Sequence, residues 1–139
     1  MDKLSPREKP INVKEVVIKC MDFRYHEVIS QILMEEHDVN YDKTDQLTIG
    51  GSSKAIVDGT LMPSLKIAYE KHGARDIYVF DHIDCGGFGG QAAFDNNERK
   101  EADAHFESID EAQAVLNKAF KDLVVVTYVI GLDGERVER

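Results

Sequence analysis

Apolar and polar residues alternate along this chain in two distinct periods. Short runs rich in β-branched residues at 13–19, 46–49, 76–81 and 123–130 read as buried strands, the last of them the most apolar stretch in the chain. The segments between them carry apolar residues at helical spacing. Val28, Ile29, Ile32 and Leu33 predict an amphipathic helix over 25–36. Leu65, Ala68 and Tyr69 predict another over 61–72, with Gly73 as a natural stop. Residues 98–120 read as a long helix with Ala-rich and charged faces. Gly50-Gly51 ends the second strand, and Asp133-Gly134 is a turn that can lead into a short final strand. Alternation of strand and helix predicts an α/β fold of three layers. Its centre is a mostly parallel sheet of four to five strands, flanked by helices.

At 139 residues the chain suits a single domain over 13–139, preceded by a charged, Pro-containing arm at 1–12 that is loose or docks on a partner subunit. The formal net charge of −9 repels phosphate backbones, so neither nucleic acid nor an anionic membrane is an expected partner. No apolar run approaches the about 20 residues that a membrane span requires, and the N-terminus has no signal-peptide core. The expected location is the cytoplasm, where thiols stay reduced and cysteines are better read as metal ligands than as a disulfide.

Composition thereby directs attention to the two cysteines. Cys20 follows the first strand, and His82 and Cys85 follow the third, so all three belong at the carboxyl edge of the sheet, where α/β folds place their functional crevice. Two thiolates and an imidazole make a good zinc set with a fourth position open, as a catalytic rather than a structural site requires. His82 and Cys85 are three apart, so one turn can hold both on one ion. Gly86-Gly87 and Gly89-Gly90 allow close backbone approach, and a helix starting soon after Cys85 would favour its thiolate. Zinc(II) with two thiolates carries no net charge, so its water is acidified less strongly than at a three-histidine site. A helper is therefore expected. Asp22 and Arg24, on one face if the stretch after Cys20 is extended, supply it. Asp22 can bind the zinc and close the site, or it can pair with Arg24 and orient the attacking hydroxide.

The run Cys20-x-Asp22-x-Arg24 followed by His82-x-x-Cys85-Gly86 resembles the β-class carbonic anhydrases. Residues 64–80, leading into the histidine, and 124–134 are similar to that family's corresponding helix, strands and turn. The resemblance covers 13–90 and 115–137. It implies one zinc per chain held by Cys20, His82 and Cys85, with Asp22 and Arg24 as a catalytic dyad. It implies reversible hydration of carbon dioxide to bicarbonate by a zinc-bound hydroxide, and a homodimer or higher oligomer with the site near the subunit interface. Two departures stand out. Phe23 occupies the place of the family's usual serine, and Thr48-Ile49-Gly50-Gly51-Ser52 stands where an Arg-Asn-Ala-Gly-like stretch is common.

Other readings compete. The same ligands would serve a hydrolase of carbonyl sulfide or carbon disulfide, or a catalytically silent zinc-binding regulatory protein. Asp84 reads as a loop residue satisfying backbone amides. His26, His37, His72 and His105 read as exposed helix histidines, with His26 the candidate proton shuttle. Phe23, Phe88 and Phe94 serve either as walls of an apolar pocket or as core and interface aromatics.

Overall fold

The computed structural model describes residues 3–139, and Met1 and Asp2 of the expected arm lie outside the described residues. Four strands form one sheet: β1 (Glu15–Lys19), β2 (Thr44–Thr48), β3 (Asp76–His82) and β4 (Val124–Ile130). Their order is β2-β1-β3-β4 and every pairing is parallel, with Ile18 opposite Leu47 and Val79, and Val79 opposite Thr127. The fifth strand is reduced to a single antiparallel bridge between Ile130 and Arg136, beyond the Asp133-Gly134 turn.

Strand alternation assigns the two faces of the sheet. Val16, Ile18, Ile77 and Val79 pack with Ile56, Leu65, Ala112 and Leu116, the inward residues of three helices: α2 (Ser53–Val57), α3 (Met62–Lys66) and α4 (Glu98–Ala119). Val17, Tyr78 and Phe80 face the other way, onto Ile29, Ile32 and Leu33 of α1 (His26–His37). Both central strands are thus covered on both sides, which explains their unbroken apolar runs. β2 is an edge strand, polar and half-exposed, which is why its sequence signal is weak. From β1 the chain crosses through α1 to one side, then returns past β1 to β3 on the other. The order reverses between β1 and β3, and the crevice at such a switch point opens beyond the carboxyl ends of the strands.

Two local expectations change. Residues 50–60 contain α2, a five-residue helix that the Gly-Gly-Ser-Ser signal conceals. The predicted 61–72 helix is α3 followed by a π-turn at Ile67–Lys71, ending at Gly73 with φ of +82°. The arm residues from Lys3 to Asn12 are exposed, with a 3-10 turn at Pro6–Glu8 and a Lys9–Asp42 ion pair tying them to the domain. No helix among the described residues is long and apolar enough to cross a membrane.

Candidate metal centre

Cys20 lies one residue past β1, His82 is the last residue of β3, and Cys85 closes the turn that follows. The switch point therefore gathers all three, each almost fully buried, with one ligand atom from each within 4.8 Å of the others. The two sulfurs are 4.0 Å apart. His82 Nδ1 donates to the Ile83 carbonyl at 2.8 Å, which fixes the tautomer and leaves Nε2 bare. That Nε2 is buried with no hydrogen-bond partner. An orphaned imidazole nitrogen facing two sulfurs is what a metal would satisfy, and Cys2His is a recognised zinc donor set. Tyr25 stacks on the His82 ring at 4.1 Å and its hydroxyl donates to the same Ile83 carbonyl at 2.7 Å, so the ring is held in place.

The electrostatics favour a thiolate. The Cys20 thiol is pushed far below its ordinary value, chiefly by its hydrogen bond with Cys85, then by the His82 imidazole beside it and by the amides of Asp22 and Gly51. Cys85 moves up, because its neighbour already carries the negative charge and because it is buried. The pair gives up one proton easily and the second with difficulty, so the second is the one a dication must displace.

Asp22 and Arg24 meet, though not along an extended strand. Asp22 caps a 3-10 turn at Phe23–Tyr25 by accepting the Arg24 amide at 3.0 Å, and the turn brings the guanidinium back onto the carboxylate. Nε donates to Oδ1 at 3.0 Å and Nη2 to Oδ2 at 2.6 Å. This fork lowers the Asp22 carboxyl to about 2, chiefly through the hydrogen bonds from Arg24. Asp22 is thus turned to the arginine and stands outside the Cys–His–Cys group. Asp84 does what was expected, accepting the Gln91 amide at 3.0 Å, and more: its other oxygen accepts Arg24 Nη1 at 3.2 Å. No helix follows Cys85 directly. A 3-10 turn at Gly86–Phe88 does, and the Gly87 amide favours the Cys85 thiolate.

An open cleft of about 660 Å³ leads to the centre, lined by Cys20, Met21, Asp22, Phe23, Gly50 and Gly87 among others. Phe23 is 82% exposed at its rim and walls no closed pocket, whereas Phe88 lies 4.0 Å from the His105 ring.

The expected exposed helix histidine at 105 is instead completely buried. Its Nδ1 lies 2.7 Å from Asp81 Oδ2 and its Nε2 3.1 Å from Glu101 Oε2. Glu101 Oε2 also accepts the Cys85 amide at 3.2 Å, and Asp81 accepts both the amide (3.0 Å) and the hydroxyl (2.6 Å) of Ser53. Helical spacing held the signal. The buried stripe of α4 runs back from Leu116 through Ala112 and Ile109 to His105 and Glu101, so two polar residues occupy core positions.

A parallel α/β sheet with two cysteines and a histidine gathered at its switch point has the fold of the β-carbonic anhydrases. Residues 11–137 match the family described as "Putative carbonic anhydrase", and the chain belongs to that family. It is similar to an uncharacterized protein of Rickettsia bellii, 28% identical over 86% of this chain and 77% of that one. A Rickettsia conorii protein is 29% identical over 86% and 68%. Among solved structures the fold matches a carbonic anhydrase from Glaciozyma antarctica with a TM-score of 0.63 at 19% identity, covering 94% of this chain and 85% of that one. It also matches β-carbonic anhydrase isoform I of Trichomonas vaginalis with a TM-score of 0.61 at 14% identity, covering 99% and 86%.

Proposed function

We propose that this protein binds one zinc ion through Cys20, His82 and Cys85 and catalyses the reversible hydration of carbon dioxide to bicarbonate. The observation that carries the reading is the bare, buried His82 Nε2 facing two sulfurs, one of them already favoured as thiolate. When bound, zinc supplies the Lewis acidity that makes water a competent nucleophile near neutral pH.

The remaining work falls to the chain. An Asp22 carboxylate oxygen accepts a hydrogen bond from the attacking water and aims its lone pair at the carbon. Arg24 holds Asp22 in that orientation, turned away from the two cysteines and His82, and Asp84 steadies Arg24 from the other side. Met21 and Phe23, both exposed at the mouth, give the cleft an apolar rim suited to a small nonpolar gas. A second copy of the chain covers that rim in the working protein, so sedimentation is expected to show a dimer or a higher homo-oligomer, and a strictly monomeric active species would overturn the pairing.

Stopped-flow measurement of carbon dioxide hydration on protein with quantified zinc tests the activity. Zinc-dependent turnover supports it, and stoichiometric zinc without turnover between about pH 6.5 and 9 sinks it. Carbonyl sulfide and carbon disulfide belong in the same assay. Faster turnover of either would reassign the substrate while leaving the metal centre intact.

Asp22→Asn provides a sharper check. A depressed carboxyl is ionised at every pH above its own value, so Asp22 is anionic across the whole working range. The variant is expected to keep its zinc and lose about 10²-fold or more in turnover, equally at each pH, with the midpoint of the pH–rate profile unmoved. A shifted midpoint would mean that Asp22 itself titrates in the reaction.

A further inference from the structure

The buried chain Cys85–Glu101–His105–Asp81–Ser53 has no part in the chemistry above, yet it is an expensive thing to bury. Its two carboxylates and one imidazole are at most 2% exposed. Replacing such a cluster with well-packed apolar side chains is often neutral or stabilising, so fold stability gives little reason for its presence. Its connections suggest another reason.

Each end grips a segment that shapes the metal centre. Glu101 Oε2 accepts the amide of Cys85, a candidate ligand. Asp81 precedes His82 on β3, so anchoring its carboxylate fixes the strand tip that carries the imidazole. Ser53, held by Asp81 through both its amide and its hydroxyl, follows Gly51 and Ser52. Those two residues have positive φ of +84° and +36°, and the Gly51 amide favours the Cys20 thiolate. A serine at positive φ is a costly conformation that persists only when its surroundings impose it. The Asp81 carboxylate on the next residue is positioned to impose it. His105 joins the two halves, since both its nitrogens face carboxylate oxygens. Ser108 on α4 reaches the Ser53 hydroxyl at 2.8 Å and braces the far end. One run of hydrogen bonds therefore connects the Cys85 turn, the His82 strand tip and the loop beneath Cys20 to a single rigid helix, α4.

We propose that Glu101, His105 and Asp81 form a positioning device that holds the Cys85 turn and the Gly51-Ser52 loop in ligand geometry and so sets how long the metal stays bound. The inference rests on reading Cys20, His82 and Cys85 as zinc ligands. Glu101 is its key residue, because its Oε2 accepts the Cys85 amide and also meets the His105 imidazole. Outer groups that orient metal ligands typically govern 10–100-fold in metal affinity, and here the effect should appear in the rate of release.

The test is zinc release from the loaded protein into excess chelator, followed by absorbance, for wild type, Glu101→Gln and Ile29→Val. Ile29 is buried in the core on the opposite face of the sheet, so its variant lowers stability without touching the network. Glu101→Gln is expected to release zinc about 10–100-fold faster than wild type, while Ile29→Val releases it within about 2-fold. Cobalt(II)-loaded Glu101→Gln should also show a shifted thiolate-to-metal charge-transfer band, which loss of stability alone would not produce. Release from Glu101→Gln at the wild-type rate would overturn the positioning role and leave the ligand assignment standing. So would release from both variants in proportion to their lost thermal stability. If Glu101→Gln does not fold, His105→Gln takes its place. It cuts the link to Asp81 but spares the Glu101 bond to Cys85, so it should accelerate release by a smaller factor, and wild-type release would again overturn the role. A wild-type protein that takes up no zinc would remove the ligand assignment and this inference together.

Discussion

Cys85→Ser is expected to abolish stoichiometric zinc binding and to reduce carbon dioxide hydration on the order of 10³-fold or more. Disturbing groups that merely orient ligands costs 10–100-fold in affinity, so loss of a ligand sulfur should cost at least that. A serine hydroxyl at the same place stays protonated near neutral pH and offers zinc a poor donor. The site is 1% exposed, so no outside group can replace the sulfur without movement of the turn. Metal binding to the native state alone also adds to stability, and that contribution disappears with the ligand. Thermal unfolding with and without added zinc separates the two effects: wild type should gain a higher midpoint from zinc, and the variant should not. Metal analysis of the purified variant checks the rest. Full zinc content with full turnover would remove Cys85 from the centre.

The second large effect needs no change in any ligand. Gly87 lies against Gly51, and a Cβ built on Gly87 would sit 2.6 Å from both the nitrogen and Cα of Gly51. Those atoms are backbone and cannot rotate away, so one of the two loops must move. Gly87→Ala is expected to destabilise the fold by about 1–3 kcal/mol, the usual range for overpacking, and to lower zinc occupancy as well. The movement would carry the Gly51 amide away from Cys20 and the Gly87 amide away from Cys85, weakening two contributions that favour thiolate. Gly86→Ala is the matched control. Nothing lies within 4 Å of its added Cβ and its φ is ordinary, so its unfolding midpoint should stay near wild type. Equal midpoints for the two variants would show that the loops have room to part.

These two predictions differ in where their warrant lies. Cys85 is conspicuous in the sequence because one of only two cysteines stands three residues after a histidine, just past an apolar run. Gly87 is one glycine among several in its loop, and nothing local distinguishes it from Gly86. The distinction is the approach of Gly51, thirty-six positions earlier in the chain, which exists only once β1 and β3 are side by side.

The same division runs through the rest of the molecule. Hydrophobic period was enough for the four strands, the helices α1 and α4 and the parallel α/β class, because these elements bury faces that repeat along the chain. Residue chemistry was enough to single out Cys20, Asp22, Arg24, His82 and Cys85; the fold gathers the two cysteines with His82 and pairs Asp22 with Arg24. Helix α2 escaped because five residues between glycines carry no period of their own and are helical only where they pack on β1, β3 and α4. The Asp22–Arg24 fork was foreseen, but its geometry was not: the turn that closes it depends on Tyr25 being buried against His82. His105 looked like a surface histidine because its burial depends on Asp81, which reaches it from a distant part of the chain and is itself held by Ser53. By itself the sequence determined what repeats and what is chemically unusual. Tertiary structure decided which distant groups share one buried volume, because burial turns a hydrogen bond that water would otherwise satisfy into one that the fold must supply.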